Sequence, residues 1–362
     1  MIRILTTLIS LSLTFFGCGE PEPASIRLAW TYEGGARIAE AIAGPEDRIV
    51  VMLSEQSQNS SGQLVTLDGN LGDTVEGPFD VPTLTEQAPV FLGANIFSVS
   101  KVGKIDKYNL AGQGLGSFPM TPVGNTGPIG LDGDRAIRVS SSTGILYSFN
   151  PETGEQQFQA QVDEAIDSPM AINNDGTTFL ASPLGRLEAI DRTGQKILTA
   201  ATTGALASGV TLANESIAVG HSSGVDVFSP NGTLRFTHPR SSAVIGTKAL
   251  PNGHIAAWGQ DGILDVLESS GNLVTRFRTG PDNELNPPTL SVSPAALDNE
   301  HLLLVDDLGK VSLIDAGGNT LASYSLDSPP RAKSRIHQSE KGTIVISTPS
   351  RVYGLRITLP SN

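Results

Sequence analysis

Gly185-Arg-Leu-Glu-Ala-Ile-Asp191 decides the fold, because the chain repeats it. A turn residue leads into alternating apolar positions that end on an acid or amide. The pattern returns as GQLVTLD from Gly62, GKIDKYN from Gly103, GILYSFN from Gly144, GVDVFS from Gly224, GILDVLE from Gly262 and GKVSLID from Gly309. A degraded eighth copy, SRVYGLR, begins at Ser350. From Gly62 onward the copies start 41, 41, 41, 39, 38, 47 and 41 residues apart. Short alternating strands recurring at about 40–50 residues mark a propeller blade of four strands. The expected fold is therefore all-β: a single eight-bladed β-propeller of four-stranded antiparallel blades.

One repeat shows the blade. The first strand starts in Ser168–Ile172, and Asn173-Asn-Asp-Gly176 makes a turn, since Asn, Asp and Gly tolerate positive φ. Residues 177–182 alternate with β-branched and aromatic side chains, as a second strand does. Pro183-Leu-Gly185 turns into the third strand, Arg192-Thr-Gly194 turns again, and 195–201 form the fourth. The acid or amide closing the third strand is suited to cap the next turn through its own side chain. Small residues of the second strand are assigned to crowding near the axis. The last repeat stops after its third strand, whereas residues 26–35 (IRLAWTYEGG) form a strand without a blade. Donating the N-terminal strand to the last blade closes the ring and removes an open edge.

The chain has 362 residues, which by length alone would make two or three domains; the repeat gathers residues 26–362 into one. Its 39 Gly and 23 Pro interrupt the pattern too often for long helices. A net charge of −13 without a basic stripe argues against a nucleic-acid partner. The sole cysteine is Cys18. Before it stand Arg3, an apolar run from Ile4 to Phe16, and Gly17, the order of a secretory signal. That run is too short to span a bilayer of about 30 Å as a helix.

A cysteine directly after a small residue resembles the bacterial lipobox, in which the thiol is acylated and becomes the new N-terminus. Phe15 and Phe16 replace the Leu and small residue usual there, so an ordinary secretory signal with an incidental cysteine is the other reading. The lipobox reading divides the chain into a signal peptide (1–17), a tether (18–25) and the propeller. Several acyl chains at Cys18 anchor a protein stably without a transmembrane helix. Gly19 is not the Asp that retains lipoproteins in the inner membrane of enteric bacteria, so the resemblance implies the outer membrane, facing the periplasm.

Together, the lipobox, the eight repeats and the closing strand resemble the BamB family of propeller lipoproteins and, more broadly, the PQQ-like (quinoprotein alcohol dehydrogenase-like) propellers. The resemblance runs from about Ile26 to Leu359 and opens on residues 28–52, a tryptophan strand followed by a first blade. It implies a non-catalytic envelope scaffold, monomeric outside its complex, with the outer-membrane barrel-assembly machinery as candidate partner. Quinoprotein repeats end in T-G-x-x-x-W, whose Trp docks between blades. Here Phe158 and Leu198 stand in that place, after Thr153-Gly and Thr193-Gly.

Catalytic or metal-binding groupings are not expected. His221, His238, His254, His301 and His337 lie apart, with no H-x-x-H pair. Without a cysteine in residues 26–362, the propeller offers no thiolate ligand or nucleophile. Asp132-Gly-Asp134, Asn173–Gly176 and Asp306-Asp307 are read as turns rather than calcium or metal sites. No cofactor is expected, and a quinone-dependent dehydrogenase is the weakest reading. A small-molecule or glycan binder, using the axial channel or one face, is the alternative to a protein-docking scaffold. Two insertions, residues 54–62 and 279–288, are long enough to carry binding.

Overall fold

The structure is a computed structural model that describes residues 23–54, 62–81, 89–100, 103–120, 126–163, 168–280, 287–290, 292–330 and 334–360. It contains eight antiparallel sheets of four strands. Seven are consecutive four-strand meanders; the fourth, for example, consists of Ala171–Ile172, Thr178–Ser182, Arg186–Ile190 and Lys196–Ala201. First strands of successive blades touch one another, which makes them the innermost layer around the axis. Fourth strands form the rim, where side chains alternate between exposed and half-buried, as in Lys196–Ala201.

The eighth blade is composite, as expected from the sequence. Its inner three strands are His337–Gln338, Ile344–Ser347 and Val352–Thr358, and its fourth is Ser25–Tyr32 from the other end of the chain. Pairing runs antiparallel from Ser25 opposite Thr358 to Tyr32 opposite Val352. The register shifts by one residue between Leu28 and Trp30. A one-residue bulge reverses which face a side chain takes. Ile26 therefore packs with Leu303, Leu313, Tyr353 and Leu355 against blade 7. Trp30 turns the other way, into the cluster of Ile38, Val51, Val65 and Val352 shared with blade 1. One strand thus seals both seams of the last blade.

Second strands are buried on both faces because each blade is covered by a neighbour on either side. Phe179 and Ala181 pack with Val210 and Val219 of blade 5, while Leu180 packs with Leu146 and Ala160 of blade 3. The sequence-based reason for their small residues is corrected here: the innermost strand is the first, and the second sits between blades, where side chains from both neighbours compete for space.

The structure also shows how the blades dock. In the turn before each fourth strand a glycine receives a side chain from the preceding blade. A Cβ on Gly194 would lie 2.9 Å from the Phe158 ring, and one on Gly232 would lie 2.6 Å from Leu198. Phe79 covers Gly112, Phe118 covers Gly154, and Phe236 covers Gly271 in the same way. Phe158 and Leu198 therefore occupy the docking place that the quinoprotein-type repeat gives to Trp. The series is completed across the chain ends, where Trp30 lies on Gly72 and Gly354 and its indole N–H donates to Gly69 O at 3.0 Å. Gly72 has φ +75, so both its backbone and its missing Cβ favour glycine.

Trp30→Ala is expected to lower unfolding stability by about 3–5 kcal/mol, the cost of emptying a buried aromatic site. Ile197→Ala, at an exposed rim position, is expected to change it by no more than about 0.5 kcal/mol. Urea unfolding of the two variants beside the parent checks both values.

Candidate functional surface

The meander gives the ring two unlike faces. Turns between first and second strands, and between third and fourth, lie together on one face. This turn face is built of short loops whose polar side chains satisfy their own backbone. Asp68 Oδ1 accepts from the Asn70 and Leu71 N–H groups, both at 2.9 Å, and Asp191 Oδ1 accepts from Thr193 at 2.8 Å and Gln195 at 2.9 Å. Asn150 and Asp315 do the same. These are the turn caps expected from the acid or amide at the end of each repeat.

Connections from second to third strands, and from one blade to the next, emerge on the opposite face. Both insertions singled out in the sequence join strand ends here; residues 55–61 and 281–286 within them lie outside the described residues. Leu184 of blade 4 and Leu308 of blade 7 stand in second-to-third-strand turns of this connector face, 79% and 71% exposed. They are the two most exposed large apolar side chains among the described residues.

Beneath this face, the seams between blades 3 and 6 are polar. The third residue of the third strand is Glu188 in blade 4, Asp226 in blade 5 and Asp265 in blade 6, all buried. Each carboxylate is held by its own fourth strand and by the end of the preceding blade. Glu188 accepts from Lys196 at 2.8 Å and from the Asp163 N–H at 3.2 Å. Asp226 accepts from Thr237 Oγ1 at 2.6 Å, Thr203 N at 2.6 Å and Thr203 Oγ1 at 2.9 Å. Asp265 accepts from Arg276 Nε at 2.6 Å, contacts His238 Nε2 at 3.1 Å, and has Arg240 Nη1 at 3.3 Å.

Environment separates these acids. Burial raises the Glu188 carboxyl, and its contact with Asp163 adds to this against the pull of Lys196. Burial also opposes ionisation of Asp265, but His238, Arg276 and Arg240 outweigh it and hold the group at about 2. Asp226 is likewise burdened by burial, yet lowered by His221, Thr237 and Thr203. His221 is fully buried beside it, with Nε2 3.2 Å from Thr203 Oγ1 and 3.4 Å from Asp226 Oδ1. Ser223 N donates to His221 Nδ1, which puts the imidazole proton on Nε2. Because the Thr203 hydroxyl donates to the carboxylate itself, His221 is not placed to take its proton. The arrangement ties blades 4 and 5 together.

The remaining sequence candidates separate cleanly. His301 pairs with Asp298 at 2.9 Å in a turn. The His254 N–H is capped by Asn252. Asp132 pairs with Arg138 at 3.1 Å and with Arg135, and Asn173 and Asp175 both accept from Thr177 N. Asp306 caps its turn through Leu308 and Lys310, while Asp307 accepts from Thr289. Among the described residues no group of three or more His, Cys, Asp or Glu could hold a metal ion. Cys18 lies outside the described residues. Sequence reasoning missed the seam acids, whose only signal was a polar residue on an otherwise apolar third strand.

No family model matches this chain, and no curated protein does. Solved structures do. The computationally designed protein Ika8 superposes with a TM-score of 0.71 at 13% identity, over 89% of this chain and 96% of its own. BamB from Moraxella catarrhalis gives 0.61 at 16% identity, over 77% and 85%. The C-terminal WD40 domain of Sif2 gives 0.71 at 11% identity, over 94% and 100%. The chain is an eight-bladed β-propeller. At such identities the likeness extends to the fold alone, and the quinoprotein-type assignment within it is not supported by any family match.

The Asp265 network sets a pH test. Its folded-state value lies below the ordinary carboxylate value of 3.8, so its stabilisation is present above that value and is lost as pH falls toward about 2. Asp265→Asn is expected to cost about 2–3 kcal/mol at pH 7. The difference between parent and variant should shrink between pH 4 and 2, as followed by urea midpoints across that range.

Proposed function

We propose that this protein is a non-catalytic, lipid-anchored propeller of the bacterial envelope that docks other proteins, in the manner of an outer-membrane β-barrel assembly factor. The observation that carries the reading is the connector face. It gathers the interblade connections, both insertions and the exposed Leu184 and Leu308 on one side of a rigid closed ring. Loops on a rigid scaffold are where binding concentrates, and isolated apolar side chains projecting from such loops suit insertion into a partner's pocket. Likeness in fold to BamB supports the same reading, as does the order of charged residue, apolar run, small residue and cysteine before the propeller. In this reading Cys18 carries the acyl chains, and residues 19–25 let the ring face the periplasm at the outer membrane.

Affinity capture of the full-length protein from detergent-solubilised envelopes tests the proposal. The parent is expected to retain a barrel-assembly protein, and Leu184→Glu/Leu308→Glu to retain at least ten-fold less while unfolding at the parent's temperature. Cys18→Ser should move the protein from the membrane to the soluble fraction. Equal recovery of envelope proteins with the leucine variant and an unrelated propeller would overturn docking through this face. An unchanged membrane fraction for Cys18→Ser would overturn the anchor.

A further inference from the structure

Three basic side chains converge on the innermost strands of blades 6 and 8 in a protein of net charge −13. Lys248, on Val244–Ala249 of blade 6, reaches the inner layer of blade 7, where its ammonium donates to Pro294 O at 2.8 Å. One residue away, Ser293 forms a parallel bridge with Arg335 of blade 8. Two residues beyond Arg335 lies His337, whose strand pairs outward with Val345. Residues i and i+2 of an extended segment share a face, so Arg335 and His337 point to the same side. Arg335 is exposed although its backbone belongs to the innermost layer, so its guanidinium meets solvent through the axial channel or its mouth. Lys248 keeps two N–H donors beyond the one given to Pro294. Among the described residues neither it nor Arg335 has a carboxylate at ion-pair distance.

His337 supplies a second, independent observation. Its Nε2 atom is buried and has no hydrogen-bond partner among the described residues. A buried polar atom without a partner forfeits its hydration with nothing in return, a loss that folds mostly avoid. Burial, then the charges of Arg335 and Lys248, press the imidazole down to about 4, so it is neutral at pH 7. Arg335 thus disfavours the charged Lys248 ammonium, and both cations disfavour a charged imidazole, with no carboxylate at ion-pair distance from either cation among the described residues. Glu40 of blade 1, whose strand packs against His337–Gln338, does not serve, because its carboxylate accepts from Ser347 Oγ at 2.8 Å and from its own strand's Ala41 N.

We propose that Lys248, Arg335 and His337 form a binding site for a small oxyanion, phosphate or carboxylate, on the axial side of blades 6–8. Lys248 and Arg335 supply fixed positive charge and N–H donors. An oxygen placed at His337 Nε2 accepts its hydrogen bond and favours the imidazolium, so binding takes up a proton and strengthens as pH falls from 7 toward 5. A free phosphate and an acidic group of a docked partner share this chemistry.

Isothermal titration with sulfate, a phosphate-shaped oxyanion, and with formate, both of which keep their charge between pH 7.5 and 5.5, tests the site at those two pH values. His337 is followed by imidazole NMR in the same samples. The expected result is saturable binding of at least one anion, at least three-fold tighter at pH 5.5, with the His337 titration moving upward when the site fills. Arg335→Gln, at an exposed position that leaves the core intact, should weaken binding ten-fold or more, as should Lys248→Met. His337→Asn should abolish the pH dependence. No saturable heat with either anion together with no Arg335-dependent shift of the His337 resonance by an acidic peptide, or equal affinity in Arg335→Gln, would overturn the proposal. If the parent binds neither anion but an acidic peptide displaces the His337 resonance in an Arg335-dependent way, the oxyanion comes from a partner and the site stands.

Discussion

Everything in this ring depends on the pairing of Ser25–Tyr32 with Val352–Thr358. Seven blades are local meanders, each able to form from about 40 contiguous residues, but every one has apolar faces that only its neighbours can cover. The eighth cannot form until the two ends of the chain meet. That requirement converts a row of blades into a closed object without free flanks. The bulge between Leu28 and Trp30 is what lets one strand do this, since an unbulged strand would direct Ile26 and Trp30 to the same side and leave one seam unfilled.

The contact of Trp30 with Gly72 is the same device that joins the other blades, enlarged. Between blades 1 and 6 a Phe or Leu from the rim strand covers the turn glycine of the next blade, and Thr275 takes that place at Gly318 of blade 7. At the closure the rim strand is not covalently continuous with its blade, so entropy favours separation more strongly there. The indole contributes the largest apolar area of the set together with a hydrogen bond to Gly69 O. Blade 7 meets blade 8 without such a lock, because the last blade has no turn into a fourth strand. Ile26, Tyr353 and Leu355 fill that seam instead.

Much of this was legible in the sequence. The third strand and its flanking turns recur with enough fidelity to count blades, and the unpaired segments at the two ends predicted the closure. Three things were hidden. The layer order was misjudged for the second strand, because burial on both faces and crowding at the axis select the same small residues. Of the docking residues only Phe158 and Leu198 could be placed, because they follow a Thr-Gly turn at the Trp spacing; Phe79, Phe118 and Phe236 fill the same space without that signature. The seam carboxylates were invisible because Glu188, Asp226 and Asp265 take their meaning from Asp163, Thr203, His238 and Arg240, donors some 23–27 residues away in the preceding blade. Contacts across a seam leave no local pattern, only a polar residue where the strand period asks for an apolar one.

The distribution of buried charge separates structure from function in this molecule. At the seams of blades 3–6 each buried acid meets donors from two blades, and the network is closed. Closed networks of this kind rigidify and set the register of their neighbours. At the inner strands of blades 6–8 the reverse holds: Lys248 and Arg335 oppose each other's charge and disfavour protonation of His337, and among the described residues the buried ring nitrogen of His337 has no partner. Stability alone would favour an apolar substitute for His337 there. Buried side-chain atoms without a hydrogen-bond partner occur elsewhere among the described residues, at Ser98, Ser140 and Thr343 for example, but only at His337 does such an atom stand beside two cations that lack a carboxylate, and an anion is the simplest species that removes both defects at once.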